Sequence, residues 1–185
     1  MKNKPFWDID ETHIIENNVR IIDIEKNKDI AIRNMQYVEK VFNDLKTVAY
    51  ITLNLPNKLT KFEKNGINIF LNTPHIFIEM NPKDNQFLGL NKPKNIIDLK
   101  KNPHNTDKTL RASYKVVLLK FRDLKGNITL NKPKLLQLLV HELAHTLANH
   151  VVYRFDDHGQ DFKIYEKLLM KWCILLGYSN SHEYF

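Results

Sequence analysis

The segment that most restricts this chain runs from Pro133 to His145. It reads Pro-Lys-Leu-Leu-Gln-Leu-Leu-Val-His-Glu-Leu-Ala-His. Its leucines recur at helical spacing, and proline sits where a first helical turn tolerates it, so 134–145 reads as a helix. A helix this apolar has to be covered by other elements. It also carries His141 and His145 four residues apart, hence on one face. Glu142 follows directly. Two imidazoles one turn apart can share a metal ion, zinc above all. A carboxylate beside them can take the proton of an attacking water. The bland alternative is a helix with two exposed histidines and a solvated glutamate.

A catalytic zinc takes three protein ligands and keeps a position open. Downstream donors are His150, Asp156, Asp157, His158, Asp161, Glu166 and His182. The spacing H-E-x-x-H-x-x-G-x-x-H is not met, because Ala148 and Val151 stand where its glycine and third histidine would be. Glu166 is conceivable as a ligand from the next helix, but it reads as a solvated surface residue. His158 is best placed. It ends the irregular stretch 153–157 and precedes Gly159 and a final helix, where the chain can turn back.

His141-Glu142-Leu143-Ala144-His145 followed by Asp157-His158-Gly159-Gln160-Asp161-Phe162 resembles the SprT-like and WLM groups of zinc metallopeptidases. Phe87-Leu88-Gly89-Leu90-Asn91 is similar to the L-G-L-N segment of WLM domains. The resemblance implies a zinc metalloendopeptidase with His141, His145 and His158 as ligands and Glu142 as catalytic base. It also implies protein substrates bound on, or crosslinked to, DNA. A ligand histidine needs an acceptor on its other nitrogen. Asp157, Asp161 and Asp156 are the candidates, although Asp157 also suits the N-cap of the last helix. A donor toward the developing oxyanion is expected on chemical grounds, with Tyr153, Tyr114, Arg154 and His75 as candidates.

The rest of the chain supplies the frame. At 185 residues it suits one domain, 19–185, after a loosely held arm at 1–18. Strands are expected at 19–25, 49–53, 67–71, 75–80 and 114–121, and helices at 29–47 and 160–176. The expected fold is α+β and zincin-like. A small twisted sheet packs on a helix, and the active-site helix and C-terminal helix form the other wall of a cleft. The edge strand beside the cleft, 66–71 or 115–122, would hold a peptide extended. Tyr165, Trp172 and Cys173 read as core of the last helix.

Between Asn81 and Ser113 the periodicity dissolves into a long loop. It carries Lys92, Lys94, Lys100, Lys101, Lys108 and Arg111, read as a nucleic-acid surface or a solvated insertion. The formal charge of +7 favours an anionic partner such as DNA, though AT-rich coding alone can produce such basicity. With 43% hydrophobic and 26% charged residues the chain is neither coiled coil nor disordered, and no apolar run is long enough for a membrane span. No secretory h-region is evident, and a lone cysteine suits the reducing cytoplasm or nucleus. Two rival readings stand: a nucleic-acid-binding module with a structural zinc, and a non-catalytic, protease-like interaction domain.

Overall fold

The computed structural model describes residues 13–16, 19–56, 59–83, 87–95, 113–149 and 158–180. Apolar residues every third or fourth position from Ile32 to Ala49 produce its longest element, helix α1 (Lys28–Asn54). This helix absorbs 49–53, expected to be a strand. Val48, Ile51 and Thr52 favour a strand locally, but Leu45 and Ala49 continue the buried stripe and the packing wins. Pro56 ends the element by holding Leu55 extended, at ψ 149°.

The segment 67–71, also expected as a strand, lies in helix α2 (Lys61–Asn72). Thr60 and Glu63 form a reciprocal capping box there. That Thr-x-x-Glu spacing was the signal for a helix. Gly66 faces the ring of Tyr165, where a Cβ would collide. The Tyr165 hydroxyl in turn donates to Phe62 O at 2.9 Å.

Five strands form one mixed sheet. They are β1 (His13–Glu16), β2 (Val19–Ile22), β3 (His75–Glu79), β4 (Gly89–Asn95) and β5 (Ser113–Leu119), ordered β1-β2-β3-β5-β4. The pairs β2–β3 and β3–β5 are parallel; β1–β2 and β4–β5 are antiparallel. Residues 13–16 of the expected arm are thus part of the sheet. The long basic loop contains β4, which tolerates Pro93 because it lies at an edge. Neither expected edge stands: 66–71 is helical, and β5 is interior. Among the described residues, the edges are β1 and β4.

Helices α3 (Lys132–Leu147) and α4 (Gln160–Leu175) complete the fold. Asn131 caps α3, accepting from Lys134 N. Both pack with α1 and α2 on one face of the sheet, in a core that includes Met35, Phe70, Val117, Leu139, Leu169 and Trp172. The other face carries a smaller cluster of Ile78, Met80, Leu90, Val116 and Leu118. Cys173 is buried as expected, and burial pushes its thiol up to about 12. The architecture is therefore α+β. Among the described residues no helix is long and apolar enough to cross a membrane.

Candidate metal centre

Helix α3 and the start of α4 bring three histidines together. His141 and His145 lie one turn apart on α3, and His158 stands just before α4. Their ring centroids are 5.2 Å (His141–His145), 4.9 Å (His141–His158) and 5.1 Å (His145–His158) apart. Beneath them lies Phe162, its ring centroid 4.9, 4.6 and 4.7 Å from His141, His145 and His158. It gives the three imidazoles a common apolar floor, and Gly159 at the N-cap starts the helix that places it.

One ligand nitrogen from each histidine lies within 4.8 Å of the others, close enough to bind one metal ion. Nε2 of His141 and Nε2 of His158 face each other at 3.1 Å. Two nitrogens each ~2.0 Å from a tetrahedral ion would be about 3.3 Å apart, so the donor set fits zinc. Among the described residues no cysteine or carboxylate joins these three nitrogens.

The acceptor on His141 is Glu166, whose Oε1 lies 3.2 Å from Nδ1. That contact, with burial opposing it, raises the imidazole above its ordinary value. It also turns Nε2 inward toward the other rings. Glu166, expected to be a solvated surface residue, is thus the carboxylate that holds the His141 ring. Asp161, expected in that role, is exposed on the first turn of α4. Gly159, rather than Asp157, is the N-cap of α4.

Glu142 is 3% exposed. Burial pushes its carboxyl up to about 7, with His141 pulling the other way. Its Oε2 has no hydrogen-bond partner among the described residues. Gly89 of β4 lies against the same carboxylate; a Cβ there would strike Glu142 Oε1 and come within 2.8 Å of Leu138 Cδ1. The Leu-Gly-Leu-Asn segment therefore abuts the catalytic candidate.

A buried polar chain fixes the back of α3. Asn91 Nδ2 donates to Glu142 O and, at 2.8 Å, to Thr146 Oγ1. Thr146 Oγ1 is 3.0 Å from His75 Nε2, and His75 Nδ1 is 2.9 Å from Thr73 O. A carbonyl only accepts, so Nδ1 carries the proton and Nε2 accepts from the threonine. This neutral form agrees with an imidazole that burial pushes down to about 3. His75 is therefore a structural partner of α3 rather than a donor toward an oxyanion. Asn91 was legible only as part of the Leu-Gly-Leu-Asn segment.

The remaining sequence candidates fall away from the histidines or outside the description. Tyr114 packs with the smaller cluster on the sheet face opposite α3, so it cannot reach them. By strand alternation Lys92 lies on that far face as well, since Asn91 points toward α3. Lys94 sits in β4 with its backbone alone described. Tyr153, Arg154, Asp156, Asp157, Lys100, Lys101, Lys108 and Arg111 lie outside the described residues, as do His150 and His182. Comparison of the chain with protein-family models, with curated proteins and with solved structures finds no match.

Proposed function

We propose that this protein is a zinc-dependent endopeptidase of zincin-like build. The observation that carries the reading is the pairing of a three-histidine centre with a buried glutamate, one oxygen of which has no hydrogen-bond partner among the described residues. A structural zinc site is closed by four protein ligands, whereas a catalytic one keeps a position open.

His141, His145 and His158 would hold the ion through their inward nitrogens, with Glu166 fixing the tautomer of His141. A zinc ion there supplies Lewis acidity toward water and toward a substrate carbonyl. Glu142 takes a proton from the attacking water as the hydroxyl adds to the carbonyl carbon. It then gives that proton to the amine as the C–N bond breaks, so the carboxylate is regenerated. A buried carboxyl beside the open coordination position is placed to accept and return a proton. The outer edge of β4, an edge strand among the described residues and beside Glu142, would align an extended substrate by strand addition.

Metal content of the purified full chain tests the centre: about one zinc per chain is expected, with strong loss in His158→Ala. Cleavage of an unfolded protein tests the chemistry, and full activity in Glu142→Gln would overturn the reading. A narrower version, cleavage of DNA-associated proteins, draws on the +7 charge. It requires that DNA bind at low salt and stimulate cleavage.

A further inference from the structure

The cleft beside Glu142 has a chemical character of its own. It encloses about 1000 Å³ between one face of α3, one face of α4 and the start of β4. On α3 it runs from Lys134 through Leu138 to His141. These positions stack along one helix face. Seven residues of rise make it about 10 Å long, enough for about three residues of extended chain. On the other side Met170 and Ile174 face it from α4. Phe87 and Leu88 close the end nearest β4 and remain 37% and 57% exposed.

The floor is therefore apolar, and the rim is cationic. Lys134, Lys167 and Lys171 stand around it, all exposed. Of the two carboxylates in its wall, Glu166 is turned onto His141 and Glu142 is the buried group at the inner end. We propose that this cleft is a substrate groove for an extended acidic peptide segment that carries one bulky apolar side chain. The proposal rests on the endopeptidase reading for its consequence, since the groove ends on His141 and Glu142, and it adds the substrate class. A nucleic-acid strand would satisfy the lysines but leave leucine, methionine and isoleucine against phosphate. An acidic peptide with one large apolar residue satisfies floor and rim together.

Binding is read on the zinc-loaded full chain bearing Glu142→Gln, so that no cleavage intervenes. The probes are three fluorescein-labelled nonapeptides, titrated by anisotropy at low salt. One has a central phenylalanine flanked by glutamates. The second has alanine in place of the phenylalanine, and the third has glutamines in place of the glutamates. The first is expected to bind about tenfold more tightly than the second, as burial of one phenylalanine ring implies. It should also bind several-fold more tightly than the third. Lys167→Glu with Lys171→Glu alters only exposed side chains and should reverse the preference for glutamate over glutamine.

Equal binding of all three peptides, within about twofold, would overturn the proposal. A DNA oligonucleotide that displaces the peptide and binds more tightly would do the same, as would a dimer of this chain that the peptide dissociates. Failure of the groove is separable from failure of the enzyme reading. Tight, selective binding with no cleavage by the unsubstituted protein would remove the endopeptidase and leave the groove. Cleavage indifferent to phenylalanine and glutamate would do the reverse.

Discussion

Glu79 and Glu142 are both almost wholly buried, at 1% and 3% exposure, and the fold treats them in opposite ways. Around Glu79 every polar atom is answered. Arg122 Nε donates to Oε1 at 2.7 Å, and its NH2 group donates to Oε2 at 2.6 Å. The backbone N–H of Ile22 donates to Oε2 at 2.9 Å. The remaining guanidinium protons go to the carbonyls of Ile22, Ile24 and Lys26. This pair ties β2 and the turn after it to β3 and to the segment that follows β5. Glu142 has one oxygen with no hydrogen-bond partner among the described residues, and burial pushes its carboxyl up to about 7. A satisfied buried charge holds elements together; an unsatisfied buried group marks a candidate functional site.

That contrast breaks most sharply at the two glutamates themselves. Glu79→Ala strands the Arg122 guanidinium and should lower stability by about 3–5 kcal/mol, seen as a large fall in the denaturant midpoint. Glu142→Gln should leave stability equal or higher, because a poorly solvated carboxyl is replaced by a neutral amide. The same change should lower peptide cleavage by about 10²–10⁴-fold. If Glu142→Gln destabilised as much as Glu79→Ala, the two sites would be of one kind and the contrast would fail.

Glu166→Gln sharpens the contrast one shell out. It should weaken zinc affinity by about 10–100-fold with little change in the melting temperature of the zinc-free chain, measured by competition with a chelating dye. Asn91→Ala lies between the two behaviours. It removes the donor to both Glu142 O and Thr146, and should lower stability by about 1–3 kcal/mol in urea unfolding.

The smallest expected effect is a pH slope. His75 is held down at about 3 in the fold, while an unfolded histidine titrates near ~6.5. Between those values the unfolded chain binds the extra proton. Stability from this group is therefore complete above about 6.5 and falls as pH drops toward 3. The difference in unfolding free energy between the parent and His75→Gln should shrink steadily from pH 7 to pH 5. A constant difference would mean that His75 is not held neutral.

Much of the candidate site was legible because it is encoded locally. His141, Glu142 and His145 lie on one predicted helix, with Pro133 at its start. His158 was recognisable from its position ahead of Gly159 and the final amphipathic run. The orienting partner was not. Asp161, a sequence candidate for that role, is exposed on α4, whereas Glu166 reaches His141 because α3 and α4 pack side by side; Asp156 and Asp157 lie outside the described residues. Tyr114 failed for the reason β-strands alternate: its place in β5 was read correctly, but the face it takes depends on which side the helices occupy.

The sequence by itself determined the elements whose periodicity agrees with their packing: the core of α1, β3, β5, α3 and α4. It also determined the identity of the three histidines and the glutamate. The capping box at Thr60 and Glu63 encoded the start of α2 locally, whereas only the tertiary structure decided that 49–53 stays in α1 and that β4 lies within a basic, proline-bearing loop. It alone placed Gly89 and Asn91 against Glu142. A hydrophobic period states which face of a segment is buried, and never what meets it. Asn91 pairs in register with Val117 and bonds to residues 51 and 55 positions away. Contacts of that range have no local signature, because they exist only once the sheet has formed and α3 has settled on it.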